Sequence, residues 1–127
     1  MVVTVAEKAG QYWVPERGEV IWIDCSPQLG QEMRDRHPFV VLSPRNFNER
    51  TSLVIGLPMT SAAYNASNPF AVAIGKTSSK KTSYVLCHQP KSFDWRLRSS
   101  APHPSKKLPA AALVEVCRRL NQIVQLV

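Results

Sequence analysis

A mainly β, α+β fold of barrel-like type is predicted for this chain of 127 residues. Three observations predict it. At least five short β-branched and aromatic runs are separated by turn residues. A single amphipathic stretch with helical spacing follows them near the C-terminus. Strands and helices do not alternate as they would in a parallel α/β sheet. The length fits one domain, and roughly two-thirds of the unfolded surface can be buried at this size, so a core forms without disulfides or metals. A tail over residues 1–16 and one domain over residues 17–127 are expected.

Val20 to Asp24 reads V-I-W-I-D between Gly18 and Pro27, which is a strand. From Cys25 to Pro38 the chain turns polar, with Glu32, Arg34, Asp35, Arg36 and His37 crowded together. A loop of that length in a compact domain is usually functional or mobile. Phe39 to Leu42 is a second strand. Pro44 to Arg50 fits one helical turn, with Ser43 as N-cap and Pro44 at the first helical position. Ser52 to Leu57 is a third strand, stopped by Pro58. Tyr64 to Pro69 is a loop of Asn, Ser and Pro. Phe70 to Ile74 and Ser83 to Cys87 are strands on either side of the basic turn Gly75 to Lys81. Ser99 to Lys107 and the first dozen residues read as loosely structured. From Pro109 to Leu126, Leu113, Val116, Cys117, Leu120, Ile123 and Val124 recur at helical spacing. Glu115, Arg118, Arg119 and Gln122 take the other face.

The net charge of +7 favours an anionic partner, usually nucleic acid. Cys25, Cys87 and Cys117 lie far apart, without the spacing of a zinc site or a disulfide framework. They are read as reduced core cysteines of a cytoplasmic protein. No metal and no cofactor is expected. Met1 to Gln11 lacks the apolar run of a signal peptide, and no segment is long and apolar enough for a membrane partner.

Five blocks stand in order along the chain, R-G-E-V-I-W-I-D, P-x-x-G-x-E, H-P-F-V-V-L-S-P, L-P-M-T-S and H-Q-P-K-S-F-D-W-R-L-R, and together they are similar to those of the MazF/PemK toxins. R-G-E-V-I-W-I-D at Arg17 to Asp24 resembles the family's opening strand, and P-x-x-G-x-E follows at Pro27 to Glu32. H-P-F-V-V-L-S-P at His37 to Pro44, with the F-N pair Phe47-Asn48, resembles R-P-x-V-V-L-S-P. L-P-M-T-S at Leu57 to Ser61 resembles V-P-x-T-S/T, and H-Q-P-K-S-F-D-W-R-L-R at His88 to Arg98 resembles D-Q-x-R/K-S-x-D-W-R-x-R. No block is specific alone; the conjunction is. The resemblance implies an SH3-like barrel of twisted antiparallel strands with a C-terminal α-helix, assembled as a homodimer. It implies metal-independent, sequence-specific cleavage of single-stranded RNA to 2′,3′-cyclic phosphate and 5′-hydroxyl ends. It also implies a cognate antitoxin that lays an acidic, partly disordered segment over the RNA groove, and operator DNA bound through the toxin–antitoxin complex.

Cleavage of this kind needs a base for the ribose 2′-OH, an acid for the leaving oxygen, and donors for the charge on phosphorus. By the resemblance, His37 stands where the family has its catalytic arginine, and Arg36 could supply the positive charge beside it. A histidine there could act as acid or base near neutrality. Thr60 matches the active-site threonine, with Ser61 a second donor, and Glu32 matches a loop glutamate that could act as base. Arg34, His88, Gln89, Lys91 and Arg98 are candidates for RNA binding; His88 replaces an aspartate that is functional in the PemK branch. Lys91, Arg96 and Arg98 put charge beside Phe93 and Trp95, a mixture that suits single-stranded RNA. Trp95 is expected to be mainly structural. Two other functions compete. One is a non-enzymatic gyrase poison of CcdB type, disfavoured by the lack of an aromatic in Ile123 to Val127. The other is a nucleic-acid-binding co-repressor with a decayed site.

Overall fold

The computed structural model describes residues 12–25, 36–76 and 81–127. Its elements, in chain order, are β1 (Glu19–Asp24), β2 (Arg36–Val41), α1 (Arg45–Thr51), β3 (Leu53–Thr60), a 3₁₀ turn (Ala63–Ser67), β4 (Ala71–Lys76), β5 (Thr82–Leu86), β6 (Lys91–Asp94), β7 (Ala101–Lys107) and α2 (Ala110–Val124). The strands form one curled, wholly antiparallel sheet of order β4-β5-β3-β2-β1-β7, with β6 paired to β3. This is the mainly β fold with a terminal helix that the sequence predicts.

The uninterrupted apolar runs of β1 and β2 have a physical reason. Each strand is central and buried on both faces, so both sets of alternating side chains are apolar. Val20 and Val40 join Leu57, Met59, Val72, Val85, Cys87, Leu108 and Val116 in a core under α2. Ile21, Ile23, Phe39 and Val41 join Val14, Val54, Phe93 and Trp95 in a second core on the opposite face. Gly56 lets β2 and β3 meet: a Cβ there would stand 2.0 Å from the Val40 carbonyl oxygen.

Several expectations need correcting. Ser99 to Lys107 is not loose, because its last seven residues are β7, paired to β1 through Ile21↔Pro102 and Trp22↔Ala101. Its prolines are tolerated because β7 is an edge strand. Pro58 does not stop β3, which continues to Thr60. On that edge β3 pairs with β6 up to Gly56 and with β5 from Met59, so the missing N–H of Pro58 falls between two ladders. β2 begins at Arg36, not Phe39, because β1 is long enough to pair as far as Asp24↔Arg36. Ser43 is not the cap of α1; Pro44 holds that position, without a side-chain cap. The Ser43 hydroxyl instead donates to Asn48 Oδ1 (2.5 Å) and accepts the Ile55 N–H (2.9 Å). Pro109 precedes α2 as its cap position. Only Val116 of the helix is fully buried, with Leu113 and Leu120 packed beside it, whereas Ile123 and Val124 are 40% and 45% exposed. Cys87 is a core cysteine; Cys25 and Cys117 are only half-buried.

Candidate active site

The start of β2, the end of β3, the start of β5 and the middle of β7 line a pocket of about 360 Å³. His37 and Pro38 enter it from β2, Met59 and Thr60 from β3 with Ser61 just after it, Ser83 from β5, Trp22 from β1, and His103, Pro104 and Ser105 from β7. Local sequence sets each position. Thr60 is the last residue of its strand, and its Oγ1 accepts the Ala62 N–H at 3.1 Å, turning the chain out of the sheet. The same hydroxyl keeps its hydrogen to donate. His37 pairs with Ile23 in the β1–β2 ladder and is half-buried. Arg36, one residue earlier and exposed, holds its guanidinium carbon 5.6 Å from the Trp22 ring centroid, and its Nη1 reaches the Ser99 carbonyl at 3.5 Å.

His103 is the residue the sequence reading missed. It is 9% exposed, and its ring lies 4.5 Å from that of Trp22. Its Nδ1 accepts the Ser105 N–H at 3.0 Å, which places the proton of the neutral ring on Nε2. Burial pushes its pKa below the ordinary histidine value, since desolvation disfavours the charged form. A signal existed in the sequence. Ala101, His103 and Ser105 alternate with Pro102, Pro104 and Lys106, and the burial follows that alternation.

The other expected site residues divide. His37, Thr60 and Ser61 meet in the pocket, with Arg36 at its side. Glu32 and Arg34 lie outside the described residues. His88 and Gln89 are exposed between β5 and β6, at the opposite end of β5 from Ser83, and the structure does not bring them to the pocket. The His88 ring rests 5.6 Å from that of Phe70, and the Gln89 side chain lies 3.4 Å from His88 Nε2. Lys91 is exposed, opposite Gly56. Arg98 is half-buried, donating from Nη1 to the Asp24 carbonyl (2.9 Å) and lying over Phe93 at 4.6 Å. Arg96 bonds the Tyr12 hydroxyl (2.5 Å) and the Glu49 carbonyl (3.3 Å), against the buried Trp95. Among the described residues, no three His, Cys, Asp or Glu side chains stand together where they could hold a metal ion. Burial pushes the thiols of Cys25 and Cys87 up to about 11, so neither is a nucleophile near neutrality.

This geometry coincides with four likenesses, one to a family and three to known proteins. Residues 16–124 match the family model of the PemK-like, MazF-like toxins of type II toxin–antitoxin systems. The endoribonuclease toxin MazF of Escherichia coli K12 is 33% identical over 88 residues, 69% of this chain and 76% of that one. The endoribonuclease PemK of Escherichia coli is 30% identical over 110 residues, 86% of this chain and 81% of that one. The crystal structure of MazF from Deinococcus radiodurans superposes with a TM-score of 0.76 at 32% identity, covering 91% of this chain and all of that one. The chain therefore belongs to the PemK-like, MazF-like family of toxins of type II toxin–antitoxin systems.

Proposed function

We propose that this toxin is a metal-independent endoribonuclease that cuts single-stranded RNA at short sequence motifs, acting in the cytoplasm through its single domain. The observation that carries the reading is the meeting of His37, Thr60 and Ser61 in one pocket with Arg36 beside it. In this reading the ribose 2′-oxygen attacks the adjacent phosphorus. The 2′-proton goes to a base, the new P–O bond closes a 2′,3′-cyclic phosphate, and the leaving 5′-oxygen takes a proton from an acid. The Thr60 hydroxyl and the Arg36 guanidinium donate to the phosphoryl oxygens as charge grows there. An imidazole both gives and takes protons, so His37 serves as acid or base. Glu32 is the partner carboxylate, and Ser61 and Arg34 hold the strand. His88, Gln89, Lys91 and Arg98 guide its further course.

The named relatives are endoribonucleases, which supports the reaction class. Membership of a toxin–antitoxin family supports an acidic antitoxin as partner, with operator DNA bound by the complex. The exposed Ile123, Val124 and Leu126 support a homodimer, in which an apolar helix end would be covered.

The test is cleavage of single-stranded RNA by the purified chain in EDTA, followed by analysis of the ends. Cutting persists and leaves cyclic phosphate. Deoxyribose at the cut site abolishes it, because the nucleophile is gone. Full cleavage of the deoxy-substituted strand would overturn the mechanism, and loss of cleavage in EDTA would overturn the metal independence.

A further inference from the structure

The pocket has a second wall that phosphate chemistry does not use. Trp22 and His103 form it, their rings 4.5 Å apart, with Ser83 and Ser105 at its edges. None of the described lining residues is a Lys, Arg, Asp or Glu. Positive charge lies at the side, on Arg36 against Trp22. A phosphate dianion or monoanion would seek the charged side. A flat, uncharged group with hydrogen-bonding edges suits the inside.

We propose that the Trp22–His103 wall binds one nucleobase of the RNA strand, next to the scissile phosphate, with His103 Nε2–H and the Ser83 hydroxyl reading its edge. This deepens the endoribonuclease reading and rests on it. The size agrees: about 360 Å³ is at the small end of ligand pockets, which run from ~300 to ~1,000 Å³, so one base enters rather than several. The chemistry agrees too. Single-stranded RNA is recognised by stacking its splayed bases on aromatic faces and bonding their edges. The bond from Ser105 N–H to Nδ1 leaves the neutral His103 ring a donor at Nε2, and burial disfavours its charged form. It therefore offers a hydrogen bond to a base acceptor without attracting the backbone phosphate. Thr60, in the same pocket, places the reading beside the cut.

The experiment uses a randomised pool of single-stranded 2′-O-methyl RNA, which lacks the attacking hydroxyl and survives contact with an active enzyme. The pool is selected on the full-length wild type and on His103→Ala, His103→Gln and Ser83→Ala, each checked for folding by circular dichroism. The wild type enriches a short motif. His103→Ala loses the preference at one position adjacent to the cut by about tenfold or more and keeps it elsewhere, the scale of one lost base contact. His103→Gln, which restores a donor, recovers part of it. Ser83→Ala removes one oxygen from a half-buried residue, and weakens the preference at the same position. It carries the test if His103→Ala does not fold. An unchanged motif in Ser83→Ala and the folded His103 variants, or a uniform loss at all positions, overturns the proposal. A wild type that selects a motif but cuts no RNA sinks the cleavage reading alone. A wild type that cuts RNA with no position dependent on His103 or Ser83 sinks only the base pocket.

Discussion

Polar side chains gather around both ends of β3 and do opposite work there. At the Leu53 end, the polar groups are spent on one another. Asn48 is fully buried; its Nδ2 donates to the carbonyls of Pro15 (2.9 Å) and Ser43 (3.1 Å), and its Oδ1 takes the Ser43 hydroxyl. Its own carbonyl takes the Trp95 indole N–H at 2.8 Å. At the Thr60 end, hydroxyls and imidazoles line an open pocket, and among the described residues their bonds are two local turns, Ala62 N–H to Thr60 and Ser105 N–H to His103. A satisfied buried network fixes structure. Donors held in place by local turns and left facing a cavity are available to a ligand. The family's F-N and P-x-T-S blocks thus have different physical meanings: the first builds the frame, and in the proposed mechanism the second serves the chemistry.

Substitutions at the two ends should separate those meanings. The largest effect is expected for Asn48→Ala. It orphans the carbonyls of Pro15 and Ser43 and removes the nearer acceptor of the Ser43 hydroxyl. Each buried unsatisfied group costs about 1–3 kcal/mol, so a loss of about 4 kcal/mol is expected in urea unfolding. RNA cleavage per folded molecule stays at the wild-type level. A stability within about 0.5 kcal/mol of wild type would show that the network does not bear on the frame.

Thr60→Ala should do the reverse. Losing one donor to the phosphoryl oxygens lowers cleavage about a hundredfold, about 2.7 kcal/mol of transition-state stabilisation. Stability changes by only about 1 kcal/mol, since a single turn bond to Ala62 is lost. Single-turnover cleavage and urea unfolding of the same preparation check both halves. Wild-type cleavage by the folded variant removes Thr60 from the chemistry.

The legibility of the sequence follows the same division. Strands buried on both faces announce themselves, because V-I-W-I-D and F-V-V-L leave no polar alternative. The pocket was half legible: His37, Thr60 and Ser61 sit in blocks with a recognisable pattern. The other half was hidden by edge chemistry. β7 carries Pro102, Pro104 and two lysines, a composition that reads as loop unless its place at the sheet edge is known. Partner switching hid the end of β3, since a proline is tolerated only where two ladders part. His103 and Trp22 are 81 residues apart in sequence, and only the β1–β7 pairing brings them together.

The smallest expected effect concerns solvation at the pocket end. Burial lowers the pKa of His103 in the folded chain, while the unfolded chain titrates at the ordinary value of 6.5. Between those two values the unfolded state binds more protons, so stability falls as pH drops below about 6.5. The fall ends once the folded state is protonated as well. His37 lines the same pocket and Arg36 lies beyond Trp22, and the cause of the His103 shift is burial itself. Glu19 acts in the other direction. Burial raises its pKa above 4.5, so the folded state binds its proton more readily, which adds stability as pH falls toward that value. The wild-type curve therefore mixes opposing contributions, and the difference between wild type and His103→Gln isolates one of them. The variant should lose less thermal stability than wild type between pH 7 and about pH 5. Parallel curves for the two proteins would mean that His103 is as easily protonated folded as unfolded, and that the pocket wall is wetter than its burial implies.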